Sequence, residues 1–367
     1  MVEFGNRLVD DGQPCFITFE AGPTHDGLNS AKRLVSHAAE AGADAVKFQI
    51  LDPDRLVHDR SVMFVYDVLV DRETGATETI QEPLYDLLAR RAMSHDEWRA
   101  LKRHCDTLGL AFFATVGFED EIDLLEELGC DSIKIASGDI NHIPLIRRAA
   151  RTGMCLQLDT GNSTIGEVET AVDVILAEGN ESIIIHHCPS GYPARIEGIN
   201  LRVITTLKQM FDFPIAFSDH TPGWEMDIAA VALGANLVEK TITEDRATRS
   251  IEHIMSIEPH EMRRFIRVIR EVEGAMGRKR RLMSPVEIEK RKSIRRSIHL
   301  RTTRPASYRL TEADLDYRRP GTGIAADAYE QVVGRVLARD LDADATPLER
   351  FHHGREIADR GSRDERG

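Results

Sequence analysis

Short apolar runs alternate, over the first two-thirds of the chain, with stretches in which apolar residues recur every three to four positions. The runs fall at 15–21, 45–50, 111–116, 132–136, 154–159, 182–187, 214–218 and 237–241. Each is too short for a typical helix and rich in Val, Ile, Leu, Phe or Ala, as expected of strands buried on both faces. The helical period returns between them, for example at 29–41, 94–108, 120–128, 165–177 and 225–233. Gly-Ala-Asp-Ala at 42–45 and Gly-Ala-Asn at 234–236 read as compact helix-to-strand turns, with glycine ending the helix. Strands alternating with helices predict a parallel sheet, and eight such units over roughly 250 residues predict a closed (β/α)8 barrel.

Three departures from this rhythm organise the rest. Segment 52–92 is long for a connection and is expected to be a lid or binding loop. A helix at 259–276 and a basic run at 278–281 close the barrel domain, taken as residues 1–280, with 281–293 as a linker. Residues 294–350 then turn to short strands and turns, predicting a small separate β-rich domain, and the charged segment 351–367 is expected to be disordered.

Composition narrows the function classes. With 42% hydrophobic and 29% charged residues the chain reads as soluble and globular. A formal charge of −14 argues against a nucleic-acid partner, which needs a basic surface. No apolar run approaches a membrane span and the N-terminus lacks the pattern of a signal peptide. Five scattered cysteines without a CxxC predict free thiols in a reducing cytoplasm.

In a barrel of this class the site is built at the C-terminal strand ends. Those ends read Glu20, Lys47 with Gln49, Thr115, Lys134 with Ser137, Asp159 with Thr160, His187, Ser218-Asp219-His220, and Lys240. Three lysines, Lys47, Lys134 and Lys240, are expected to converge on the mouth and make a pocket for phosphate or carboxylate. A lysine there can equally serve as a Schiff-base nucleophile. Glu20 and Asp159 suit proton transfer or hydroxyl recognition, and His220 suits metal ligation or acid–base work.

These motifs resemble, over roughly 15–350, the sialic acid synthase (N-acetylneuraminate synthase) family. The matching stretches are Glu20-Ala21-Gly22 with His25 and Gly27, and Gly42 to Gln49. Further on come Lys134 to Gly138, Thr160-Gly161, His187-Cys188 with Tyr192-Pro193, Ser218 to Thr221, and Glu239-Lys240. Arg295-Arg296-Ser297 and Arg318 to Gly323 resemble the family's antifreeze-like (SAF) domain. The resemblance implies condensation of phosphoenolpyruvate with the open-chain aldehyde of an N-acylated amino sugar, aided by Mn²⁺ or Mg²⁺. It implies that Lys47, Thr115, Lys134, Ser137 and Ser218 hold phosphoenolpyruvate, that Glu20 handles protons or hydroxyls, and that His220 is a metal ligand. Gln49, Asp139, Thr160, Tyr192 and Glu252 complete the expected substrate site. Arg319 would arrive from the partner's small domain in a swapped homodimer.

The chain also departs from the family pattern. Thr241 follows Lys240 where a second metal-binding histidine is usual, and threonine is a poor divalent ligand beside imidazole. Asp159 replaces Ser, Asp139 replaces Glu, Glu252 replaces Asp, and Pro23-Thr24-His25-Asp26 replaces Asn-His-Asn. This pattern favours a retained phosphoenolpyruvate half-site with a changed acceptor, or a metal site rebuilt from His187 or Glu252. A Schiff-base pyruvate aldolase and a carbohydrate-binding relative without turnover stand as alternatives.

Overall fold

The computed structural model describes the backbone of residues 1–343, 349–352 and 356–358, and the side chains of residues 1–343. The chain divides into two compact units, Met1–Gly277 and Arg278–Gly367.

The first unit is a closed barrel of eight parallel strands. In chain order they are β1 (Phe16–Glu20), β2 (Ala45–Gln49), β3 (Ala111–Val116), β4 (Ser132–Ile135), β5 (Cys155–Asp159), β6 (Ile183–His187), β7 (Ile215–Asp219) and β8 (Leu237–Thr241). Each pairs with its sequence neighbour and β8 closes on β1, as a chain of right-handed βαβ units requires. The predicted barrel is the observed one, with strand ends shifted by a residue or two.

Because successive side chains in a strand point to opposite faces, every strand divides into an outer and an inner set. The outer set, including Ile17, Phe19, Val46, Phe48, Ile133, Ile135, Leu156, Leu158 and Val238, packs against the helices in one large core. The inner set starts apolar: Phe16, Ala45, Phe113, Cys155, Ile184, Ala216 and Leu237 form a second, smaller core inside the barrel. An N-terminal hairpin, Val2–Phe4 paired antiparallel with Arg7–Val9, plugs that end. Phe4 lies 4.8 Å from the Phe16 ring and 5.1 Å, edge-on, from Phe113. Above this floor the inner residues turn polar, and that change positions the site.

The long segment 52–92 is not an irregular loop. Met63–Leu69 and Thr77–Pro83 form an antiparallel hairpin followed by a helix at Leu84–Ala89. Alternation buries Tyr66 and Val68 against Leu87 and against Ile251 from the segment after β8, which gives the insert its own small core. All five cysteines are buried and unpaired.

In the second unit Ser297–Leu300 pairs antiparallel with Leu315–Arg318 over a core of Ile298, Leu300, Leu310, Leu315, Val332, Leu337 and Leu341. Gly321 is fixed by close approach, since a Cβ there would sit 2.7 Å from that of Arg295. The 281–293 stretch read as a linker holds a helix, Pro285–Ile294, started by a Ser284/Glu287 capping box and Pro285 at its first turn. Of the segment expected to be disordered, Glu356–Ala358 pairs with Glu349–His352 and Val336–Leu337 in a three-stranded sheet. Strands this short leave no readable periodicity. The rest of that segment, 353–355 and 359–367, lies outside the described residues. Among the described residues no helix is long and apolar enough to cross a membrane.

Candidate active site

The inner polar layer is organised around Glu239 of β8. Its carboxylate accepts from Lys47 Nζ at 2.6 Å and from Lys134 Nζ at 2.9 Å, so lysines from β2 and β4 meet on one acid. Lys47 also ion-pairs with Glu20, in a geometry that is not a hydrogen bond, and Lys134 pairs with Asp159 at 2.8 Å. Two lysines thus face three carboxyl groups in a wall that is almost closed to solvent; Lys134 is 0% exposed and Lys47 5%.

Beneath Lys134 runs a chain of neutral groups. Its Nζ lies 3.0 Å from His186 Nδ1 and 3.4 Å from Ser218 Oγ. An ammonium only donates, so Nδ1 accepts and the ring proton sits on Nε2, which faces Gln157 Oε1 at 2.8 Å. Gln157 Nε2 in turn donates to Ser132 Oγ at 2.9 Å, and Ser132 to the Cys155 carbonyl at 3.0 Å. Burial pulls His186 down to about 3, with the Lys134 charge adding, so the ring is neutral. Burial also opposes the ionised forms of Lys134 and Glu239. Asp159 and Glu239 nevertheless hold Lys134 above the ordinary lysine value, and Lys134 and Lys47 hold Glu239 below the ordinary carboxylate value.

A cavity of about 250 Å³ opens above this layer at the C-terminal strand ends. Glu20, Lys47, Gln49, Thr115, Ser137, Asp159 and Glu239 reach it from the strands and their first turns, and Asn162, Cys188, Tyr192, His220 and Glu252 from the loops. Two glycines allow the wall to close. A Cβ on Gly22 would fall 2.6 Å from Glu20 Oε1, and one on Gly161 2.5 Å from Ser137 Oγ. The Gly22 N–H donates to Glu20 at 2.5 Å and fixes that carboxylate. His220 Nδ1 lies 3.1 Å from the Pro189 carbonyl, an acceptor only, so Nδ1 carries the proton and Nε2 keeps its lone pair. Glu252 holds a left-handed backbone, φ 67°, that few side chains adopt, and burial raises its carboxyl above the ordinary glutamate value.

The profile of the NeuB family matches residues 34–281, more than half of the chain. The chain belongs to the NeuB family. The profile of the SAF domain matches residues 295–346. This NeuB-family chain is 34% identical over 354 residues to the N,N'-diacetyllegionaminic acid synthase of Legionella pneumophila, covering 94% of this chain and 98% of that one. Among solved structures it resembles the N-acetylneuraminic acid (sialic acid) synthetase of Leptospira borgpetersenii, at 31% identity and a TM-score of 0.68 over 79% of this chain and 94% of that one. It also resembles the spore coat polysaccharide biosynthesis protein SpsE of Bacillus subtilis, at 32% identity and a TM-score of 0.64, covering 93% and 96%.

Of the residues singled out from the sequence, the NeuB fold brings Glu20, Lys47, Gln49, Thr115, Ser137, Asp159, Tyr192, His220 and Glu252 to one cavity, with Lys134 and Ser218 directly beneath. Lys240 is corrected. It sits one residue after the inward Glu239 and therefore points outward, where its Nζ meets Asp219 Oδ2 and the Thr221 carbonyl, both at 2.5 Å, and lies 3.9 Å from Asp227. Two lysines converge on the mouth, not three. Thr160 bonds the His186 carbonyl at 2.9 Å and lines a separate cavity, as does His187, whose Nε2 is taken by the Ile199 carbonyl at 2.6 Å. Asp139 lies off the cavity, 3.9 Å from His142. Arg319 is an exposed residue of the second unit. Thr241 is buried at the end of β8 in register with Glu20. Glu239 is marked by the sequence only within the Glu239-Lys240 motif, without a role, and His186 and Gln157 are not marked as site residues. Period-two parity would have found Glu239, since Ser218 is its register partner.

Proposed function

We propose that the mouth cavity condenses phosphoenolpyruvate with the open-chain aldehyde of an N-acylated amino sugar, consuming water and releasing phosphate, to give a 3-deoxy-2-ulosonic acid. The observation that carries this reading is the Lys47–Glu239–Lys134 arrangement. It fixes two buried ammonium groups before any ligand arrives, Lys47 in the cavity lining and Lys134 directly beneath, with Thr115 and Ser137 hydroxyls and Gln49 at the cavity. Glu20, Asp159 and Glu239 outnumber the two ammonium groups, so the support for a phosphate and carboxylate ligand is direct contact with Lys47 and the surrounding hydroxyl and amide donors, not a net positive pocket. The same pairing weighs against the Schiff-base aldolase, because an amine nucleophile must be neutral and Lys134 is held in the charged form. Names of relatives point to the same chemistry with different products, legionaminic and N-acetylneuraminic acid. Glu20, fixed by the Gly22 N–H and Lys47, is the group placed to exchange a proton with the acceptor.

His220 and Glu252, which line the same cavity, are two donors that suit a divalent cation whose remaining positions water or substrate would fill. His220 offers a tautomer locked by its bond to Pro189 and Glu252 offers a buried carboxylate, a nitrogen and oxygen pair suited to Mn²⁺ or Mg²⁺. Glu252 is the replacement for the histidine lost at Thr241, because it lines the same cavity as His220 whereas His187 lines a separate one. When bound, such an ion polarises an aldehyde carbonyl. Among the described residues the only three-ligand group of histidine and carboxylates is Glu258, His260 and Glu261, and Glu258 is already ion-paired with Arg72 and Arg246.

Helix Pro285–Ile294 buries none of its residues and leaves Val286, Ile288 and Ile294 62%, 50% and 54% exposed, which supports a homodimer that covers it. In it the partner's second unit would bring Arg319 to the sugar. The unpaired cysteines support a cytoplasmic setting. Phosphate release from phosphoenolpyruvate across a panel of aldoses, with and without Mn²⁺, tests the reading. Release dependent on an acylated amino aldose is expected. A lysine trapped by borohydride with pyruvate, and no phosphate release with any aldose, would replace it with the aldolase.

A further inference from the structure

A second, larger cavity of about 520 Å³ lies in the same unit and plays no part in the reading above. His25 from the loop after β1, Arg91 from the end of the insert, and Thr248, Ser250 and His253 from the segment after β8 meet in its wall. His25 is 3% exposed, and neither ring nitrogen has a hydrogen-bond partner. Burial, with the Arg91 charge adding, pulls that ring down to about 4 against a weaker opposing contact from the Gly27 backbone. It is therefore neutral, and beyond the weak Gly27 contact neither its donor nor its acceptor nitrogen makes a hydrogen bond of good geometry.

The arginines of this wall are not equivalent. Arg33 is taken by Glu244 at 2.6 and 2.8 Å, Arg90 by Glu82 at 2.6 Å and Arg249 by Glu78 at 2.9 Å. Arg91 is 3% exposed and meets only the Pro23 and Leu87 carbonyls and the Ser250 hydroxyl. No carboxylate among the described residues makes an ion pair with it, Glu252 supporting its charge only from a distance, and each of its terminal nitrogens keeps one N–H. Asp26 and Glu244 are the carboxylates of the wall; Glu244 is held by Arg33 and by Ser30 at 3.2 Å. A buried guanidinium ordinarily has an anionic partner, and a buried imidazole ordinarily has its nitrogens satisfied.

We propose that this cavity binds a small hydroxylated oxyanion, a sugar acid or a sugar phosphate, with its anionic oxygens on Arg91 and its hydroxyls on His25 and Ser250. An anion alone would answer Arg91 and leave the acceptor nitrogen of His25 open; a hydroxyl fills it. The site shares one loop with the mouth, since Glu252 lines that cavity and His253 this one.

The test titrates the full chain by calorimetry with gluconate, inorganic phosphate and the uncharged polyol sorbitol, in a Ser137→Trp background that fills the mouth cavity. Gluconate or phosphate should bind at least about tenfold more tightly than sorbitol. Tighter gluconate marks a sugar acid as the source, tighter phosphate a phosphate ester. Thr248→Trp, which fills this cavity from an exposed position, and Arg91→Met should each weaken binding at least about tenfold. Should Arg91→Met fail to fold by circular dichroism, the Thr248→Trp result decides. The assignment is overturned by sorbitol binding as tightly as either anion, by neither anion binding, or by binding indifferent to Thr248→Trp.

Discussion

Glu239→Gln is the substitution that probes the site most directly. It removes one negative charge from between two buried ammonium groups while keeping the side chain's shape. Lys47 retains Glu20 and Lys134 retains Asp159, so neither lysine is stranded. The loss is that of two charge-assisted bonds, each typically worth about 1.5–3 kcal/mol. The amide also turns a donor toward one ammonium, and two such bonds together place the total at about 3–6 kcal/mol. Urea unfolding followed by circular dichroism should show that loss as a lower midpoint at unchanged slope. In the phosphate-release assay kcat/KM for phosphoenolpyruvate should fall about 10- to 150-fold, the equivalent of one such contact. The pH dependence carries a sign. Glu239 is depressed when folded, so its stabilisation is complete above the unfolded value of about 4.3 and is lost as pH falls toward the folded value. Lys134 is raised when folded, so its share is complete below its unfolded value of about 10.4 and is lost as pH rises through the folded one. The gap between wild type and variant should therefore be level near neutrality and close at both extremes. An unchanged urea midpoint with kcat/KM within about twofold of wild type would refute the hub assigned to Glu239.

Other outcomes follow from the same geometry. Lys240→Met strands the buried Asp219 carboxylate and should cost about 3–5 kcal/mol of stability, with the KM for phosphoenolpyruvate unchanged where the variant is folded. A variant that kept its stability but lost phosphoenolpyruvate binding would return Lys240 to the mouth. His220→Ala and Glu252→Ala should each weaken Mn²⁺ binding at least about tenfold by electron paramagnetic resonance titration, and Thr241→His should tighten it. Because burial raises Glu252, that binding should fade on acidification at a pH above the ordinary glutamate value; binding level through that range argues against Glu252 as a ligand. Light scattering should report a dimer, and Val286→Glu with Ile288→Glu a monomer; a wild-type monomer with full activity would remove the exchange that brings in Arg319.

The eight-strand barrel was legible because each strand is one uninterrupted apolar run set off by a helix of different period, a signal that needs no long-range information. The residues at the strand ends were legible for the same reason, as polar positions closing apolar runs. Which of them face one another was not. In a strand buried on both faces the inward and outward residues look alike, and Glu239 and Lys240 are neighbours that enter different compartments. Parity is set only when β8 pairs with β7 and β1 and the barrel closes. The hairpin at 63–83 escaped notice because its alternation is half-exposed and the residue that covers it, Ile251, lies far along the chain. The sequence by itself determined the order and type of the elements and the chemical groups available at their ends, since these depend on local period and residue identity. Only the tertiary structure decided that two lysines rather than three meet one carboxylate, and that Arg91 and His25 are buried without the partners such groups require, because both facts depend on where distant segments come together.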